Sequence, residues 1–189
     1  MVATKLDQEK AFELLLVGNL SRVNDFLKFA EAKNAALLTF CSAWILGTFS
    51  FVAISKVLSI YSSTGLGMSV ILLLFSCGFC INALLPQLLK SKFNSSAERE
   101  LANLFFGRIA AKTQEEFMQL INERYTPSNG SLYTQEYIED ILSQMHTASQ
   151  IARRKFDLFN SAARITFIAM LTLTASVALD YAIKASAHV

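Results

Sequence analysis

Charge is missing from the longest stretch of this chain: between Asn34 and Leu89 only Lys56 carries one. Proline is nearly missing as well, at Pro86 and Pro127 alone, and from Gln135 to the C-terminus there is neither proline nor glycine. The first absence excludes a water-exposed segment, because such a run needs a core or a bilayer around it. The second leaves no local stop to a helix over the last part of the chain. Reactive chemistry is scarce too. No glycine-rich phosphate loop, HExxH, nucleophile elbow or Cys/His metal spacing occurs. His146 and His188 are expected on opposite sides of a membrane and cannot form one site. No catalytic residue, metal or cofactor is expected, and the chain is not read as an enzyme. Cys41, Cys77 and Cys80 all fall in apolar runs. The Cys77-Gly-Phe-Cys80 spacing suits a redox or zinc pair, but no partner pair exists, so small apolar side chains in a helix are the plainer reading.

What is there is apolar. Hydrophobic residues make up 53% of the chain, high for a soluble domain. Two stretches, Asn34 to Ser55 and Val57 to Leu89, equal or exceed the ~20 residues that a helix needs to cross a ~30 Å hydrocarbon core. Between them Tyr61-Ser-Ser-Thr-Gly-Leu-Gly67 suits a tight outer turn. Residues 34–89 are therefore read as a transmembrane hairpin. A third apolar stretch, residues 162–183, has Arg164 near its start and Asp180 near its end; terminal charges of that kind snorkel to the interface. The fold class expected is all-α: an integral membrane protein with three transmembrane helices and a helical cytoplasmic domain.

Apart from Lys56, Asp180 and Lys184, the charged residues lie in residues 1–33 and 90–164. Five lysines and arginines precede the hairpin and ten run from Lys90 to Arg164, whereas the outer turn and the tail after Lys184 have none. The positive-inside rule then puts the N-terminus and residues 90–161 in the cytoplasm and the tail, residues 184–189, outside. The charged N-terminal stretch has no signal-peptide core.

Residues 1–33 hold an amphipathic helix with Ala11, Leu14, Leu15, Val23, Phe26, Leu27 and Ala30 on one face, kinked or divided at Gly18-Asn19, and able to run on into the first span. Lys56 is expected to snorkel to the outer interface or to line a pore, and Pro86 to kink the second span. Ala97 to Phe106 reads as a helix closed by Gly107. Thr113-Gln-Glu-Glu116 is a capping box opening a helix from Gln114 to Tyr125 that buries Phe117, Leu120 and Ile121. After the loop at residues 126–131, apolar residues recur at three and four from Tyr137 to Phe159, an amphipathic helix that enters the third span. The cytoplasmic domain is thus built partly from extensions of the membrane helices.

Two sets of residues stand out as candidate sites. Arg153-Arg-Lys155 is the densest basic cluster. It reads either as the inner anchor of the third span or as an anion site, since guanidinium forks suit phosphate; Arg108 is a second candidate for that role. At the foot of the first span Glu31, Lys33 and Asn34 are either interface anchors or part of a polar pocket facing the cytoplasmic domain. The aromatic residues Phe105, Phe106, Tyr125, Tyr133 and Tyr137 could stack on a base or simply form core.

The order of several motifs resembles a known family. Phe29-Ala-Glu-Ala-Lys-Asn-Ala-Ala-Leu-Leu-Thr-Phe40, Asn103-Leu-Phe-Phe-Gly107, Glu115-Glu-Phe117, Tyr137-Ile-Glu-Asp-Ile141, and Gln144 with Ser149, Ile151-Ala152 and Lys155-Phe156 are similar to the transmembrane effectors of Pycsar, a bacterial anti-phage system. The resemblance runs from about residue 8 to residue 175. It implies a non-enzymatic effector of the cell inner membrane that answers 3′,5′-cyclic CMP or 3′,5′-cyclic UMP by impairing that membrane, so that the cell dies before phage is released. In that reading the nucleotide sits where helix extensions meet. Its phosphate is held by a subset of Arg153, Arg154, Lys155 and Arg108, and Glu31 and Asn34 are possible base or ribose partners. Three helices are too few to enclose a water-filled pore, so a homo-oligomer in the lipid bilayer is expected, and no nucleic acid. The alternatives are a constitutive scaffold without a nucleotide ligand and an effector gated by another cyclic nucleotide.

Overall fold

The computed structural model describes residues 4–55, 59–85, 103–104, 106–127 and 130–187. Every regular element among them is helical: α1 (Lys5–Ile54), α2 (Ile60–Leu84), α3 (Phe106–Ile109), α4 (Gln114–Tyr125) and α5 (Gln135–Ala187). At 1.5 Å per residue α1 is about 75 Å long and α5 about 80 Å. α1, α2 and α5 are each long and apolar enough to cross a membrane. The chain divides into two compact units. A polar unit comprises Met1–Leu27 and Gln87–Ala152, and an apolar unit comprises Lys28–Pro86 and Arg153–Val189, so α1 and α5 contribute to both.

The apolar unit packs largely on seven-residue repeats. The repeats of buried positions are Asn34, Cys41 and Thr48 on α1; Ser62, Ser69, Ser76 and Ala83, alternating with Leu66, Leu73 and Cys80, on α2; and Lys155, Ala162, Ala169 and Ser176 on α5, with Ala30, Cys77 and Thr166 buried besides. A sustained heptad holds one seam against its neighbours and calls for left-handed supercoiling. Most seam residues are small or polar, with Leu66 and Leu73 among them and an apolar cluster around Leu73, while Leu46, Phe49, Phe75 and Phe167 are each about 60% exposed or more. Large apolar side chains outside and hydroxyls inside make the reverse of a water-soluble bundle. Lipid supplies no hydrophobic force between helices, so association rests on close contact of small residues and on hydrogen bonds. Both are present. Ser76 Oγ lies 2.8 Å from Thr166 Oγ1 and donates to the Ala162 carbonyl at 2.9 Å, and Cys41 Sγ lies 3.2 Å from the same threonine hydroxyl.

The expected outer turn at residues 61–67 is corrected by the structure. α1 ends at Ile54 and α2 begins at Ile60, capped by Ser59, whose hydroxyl accepts the Ser62 amide at 3.2 Å. Tyr61 to Gly67 is helix, and Gly65 serves packing. A Cβ at Gly65 would come within 2.3 Å of Ser176 Cβ, so only glycine lets α2 approach α5 so closely. Lys56, Pro86, most of the helix expected at 97–106, and His188 lie outside the described residues.

In the polar unit Leu16 packs with Ile138 and Ile141, backed by Leu20, Tyr133 and Tyr137. This shifts the expected face of α1. Leu14 is 73% exposed and Leu15 is exposed as well, while Leu16 is buried. The heptad set by Ala30 and Asn34 runs back through Leu27, Val23 and Leu20 to Leu16, and Leu14 and Leu15 fall off that line. α1 passes unbroken through Gly18. Gly107 lies inside the single turn of α3. The Thr113 capping box opens α4 as expected, with Thr113 Oγ1 accepting the Glu116 amide at 3.2 Å and Glu116 Oε2 accepting the Thr113 amide at 2.9 Å. Those bonds hold the Glu116 carboxyl below its ordinary pKa. Phe117, Leu120 and Ile121 are half-buried, not buried. Gly130 closes the following loop with φ +72°, a conformation that costs glycine little.

Candidate functional site

Three of the six candidate residues meet in the apolar unit. Asn34 is fully buried. Its Nδ2 donates to the Ala30 carbonyl at 2.8 Å on its own helix and to the Lys155 carbonyl of α5 at 3.2 Å, while its Oδ1 has no partner among the described residues. Lys155, itself on the α5 heptad, reaches back to α1 and places Nζ 2.6 Å from Glu31 Oε1. The lysine side chain is 11% exposed and the glutamate side chain 48%, so the cation is largely shielded from water and its counter-ion stands at the rim.

The neighbours of this junction are differently engaged. Lys33 does not join the polar set; its ammonium lies 4.6 Å from the ring centroid of Phe29 and 5.3 Å from that of Phe159, a cation–π site. Arg154 donates to Asn82 Oδ1 of α2 at 3.3 Å. Arg153 is exposed. The basic cluster is thus distributed around α5, with one side chain to α1, one to α2 and one outward, as a spacing of about 100° per residue requires.

Arg108 belongs to the other unit. Its guanidinium donates to Asn103 Oδ1 at 3.2 Å and interacts with the carboxylate of Asp140. Asp140 is fully buried on α5. Tyr125 donates its hydroxyl to Asp140 Oδ2, and Asp140 Oδ1 has no partner among the described residues. Burial pushes the Asp140 pKa up to about 6 against the lowering pull of Arg124, the Asn103 backbone and Arg108. The clue in the sequence was the repeat itself, since Asp140 stands between the core residues Ile138 and Ile141. Nearby, Tyr137 donates to Glu13 Oε1 at 3.3 Å, and burial, with that carboxylate, raises its phenol pKa. Arg108 and the Lys155 junction therefore belong to separate polar clusters, each closed largely on itself.

No group of three or more metal-ligating side chains occurs among the described residues. The Cys41, Cys77 and Cys80 thiols are buried and unpaired. Both clusters consist of groups that bind, orient and neutralise.

A family model described as the Pycsar effector protein domain matches residues 15–181. The chain belongs to the Pycsar effector family. It is similar to the Pycsar effector protein RsPycTM of a Rhizobium species, with 33% identity over 152 residues, 80% of this chain and 86% of the relative. No solved structure matches. The Pycsar effector match begins next to Leu16 and ends beyond the last heptad residue, Ser176. It therefore takes in both polar clusters and all three apolar helices. The chain is a membrane effector of Pycsar anti-phage defence.

Proposed function

We propose that this effector is a cyclic-nucleotide-gated disruptor of the bacterial inner membrane. It responds to 3′,5′-cyclic CMP or 3′,5′-cyclic UMP made during infection, impairs the membrane, and causes the cell to die before phage is released. It acts by binding and rearrangement, not as an enzyme. The polar unit is cytoplasmic, with the N-terminus inside and the C-terminus in the periplasm, in keeping with the basic residues gathered before the first span and ahead of the third. Three spans enclose no water-filled pore, so the damaging form is a homo-oligomer.

The observation that supports this reading best is the family match over residues 15–181, joined to the fact that α1 and α5 each belong to both units. A ligand shifts a conformational equilibrium only through its different affinity for the two states. If α1 and α5 are moved where they form the polar unit, the same two helices are moved where they form the apolar one. The Lys155–Glu31 and Asn34 contacts join α1 to α5 at that level and are suited to change partners during such a movement.

The test is membrane potential in cells expressing the protein, read with a voltage-sensitive dye, alongside an active cytidylate or uridylate cyclase or its inactive variant. Depolarisation with one active cyclase only supports gating and names the nucleotide. No depolarisation with either, with the protein present in the membrane, removes the reading and leaves a scaffold or a different second messenger.

A further inference from the structure

A cleft of about 550 Å³ opens in the polar unit between residues 19–26 of α1 and residues 142–149 of α5. It belongs to neither polar cluster. Its two walls repeat one spacing, i, i+3, i+4 and i+7, from Asn19 on α1 and again from Leu142 on α5, so each wall is one face of one helix. Earlier along both helices this pair is closed by Leu16, Ile138 and Ile141.

The lining is chemically asymmetric. Arg22 is exposed, and its described hydrogen bond is one of 3.5 Å to Asn19 Oδ1, at the limit of such contacts. None of the described lining residues is acidic, so among them this guanidinium faces no carboxylate across the cleft. One turn further on α1 stands Phe26, 59% exposed. An aromatic ring left in water beside an arginine has no role in the core of this unit. On the opposite wall Met145 supplies an adaptable apolar surface, while His146 and Ser149 supply polar atoms. One cation, one exposed ring and a few polar groups in a volume within the usual range for small-ligand sites describe a ligand with one negative charge and one flat ring.

Resting on the gated reading above, we propose that this cleft is the nucleotide site. Arg22 takes the phosphate and Phe26 packs on the base, with Met145 completing the apolar wall. His146 and Ser149 address the polar edge of the base or the ribose. A cyclic phosphodiester carries a single charge, which one arginine matches; a dinucleotide or a nucleic acid strand would require further cations that the cleft lacks. This assignment puts the phosphate on α1, in place of Arg153, Arg154 and Lys155.

The experiment is titration calorimetry of the full chain in lipid–detergent micelles with 3′,5′-cyclic CMP and 3′,5′-cyclic UMP. Loss of a charge-assisted hydrogen bond in Arg22→Ala is expected to weaken binding by about ten- to hundredfold. Phe26→Ala weakens it by about tenfold, and Arg22→Lys restores part of the loss. Lys10→Ala, which removes a positive charge elsewhere in the polar unit, leaves it unchanged. Wild-type binding that survives Arg22→Ala and Phe26→Ala within twofold but falls in Arg154→Ala overturns the cleft and returns the phosphate to the α5 cluster. If Phe26→Ala instead dissociates an oligomer and leaves nucleotide affinity intact, the face is a contact between copies and the assignment is wrong. A wild-type protein that binds neither nucleotide removes the gated reading itself, and the cleft assignment with it.

Discussion

Lys155 gives the sharpest test of whether the α1–α5 junction is an ion pair that holds helices together or a ligand site lying in wait. Its side chain is 11% exposed, with the ammonium 2.6 Å from Glu31, whose side chain is 48% exposed. The two halves of such a pair are not equivalent. Glu31→Gln leaves a desolvated cation without its counter-ion. That defect costs 3–5 kcal/mol in a fully buried pair, and about 1–3 kcal/mol here because water already screens the glutamate. Lys155→Met removes the charge together with its desolvation and keeps most of the stem, leaving Glu31 free to hydrate. Its cost is expected below about 1 kcal/mol. The double variant should match Lys155→Met alone, because the buried charge that made Glu31→Gln harmful is gone. The assay is reversible unfolding in mixed micelles by titration with SDS, followed by helicity. If Lys155→Met costs as much as Glu31→Gln, or if the two costs simply add, the pair is not the coupled junction described here.

Gly65→Val should overpack the α2–α5 contact by about 1–3 kcal/mol, and Ser176→Gly, which removes the opposing Cβ, should recover most of it; the same unfolding titration reads both. Ser76→Ala loses its bonds to Thr166 and Ala162 and is expected to cost about 0.6 kcal/mol, the usual size for such bonds in a bilayer. Asp140 makes stability depend on pH. Because its folded pKa of about 6 lies above the unfolded value of about 3.9, the folded state holds more protons between those limits, and stability falls as pH rises through that window and is flat above it. The change is on the order of 2–3 kcal/mol. In Asp140→Asn, measured from pH 4 to pH 7.5, that slope should disappear; a slope unchanged from wild type would show that some other group titrates.

The long helices were legible because their signals are local. A stretch with one charge, a stretch without proline or glycine, and a Thr-x-x-Glu box each act within a few turns, and α1, α5 and the α4 cap follow them. The hairpin turn was misplaced for an equally physical reason. Glycine in a soluble chain marks a turn, but between membrane helices it marks close approach, and Gly65 beside Ser176 is of the second kind. The face of α1 was misread by pairing Leu14 and Leu15 with a helical stripe, when the governing period was the heptad of Asn34, Cys41 and Thr48. The candidate site was read from charge density. Charge density finds cations but does not say which of them already have partners, and Lys155 is held by Glu31.

The heptad seam also bears on the gating proposed above. The described helix contacts in the apolar unit include hydroxyl and thiol bonds, small-residue contacts and one ion pair, beside an apolar cluster in which Leu37, Leu38, Trp44, Ile45 and Leu72 pack around Leu73. Each polar contact contributes on the order of 0.6 kcal/mol in a bilayer. A rearrangement that exchanges a few of them therefore costs only a few kcal/mol, within reach of a ligand that prefers one arrangement by about a hundredfold, or roughly 2.7 kcal/mol. Replacing the seam hydroxyls by large apolar residues would fill the interface and widen that gap. Combined Ser69→Leu and Ser76→Leu variants should then either resist activation at any nucleotide concentration or fail to pack, whereas full activation at unchanged nucleotide concentration would show that the switch does not pass through these helices.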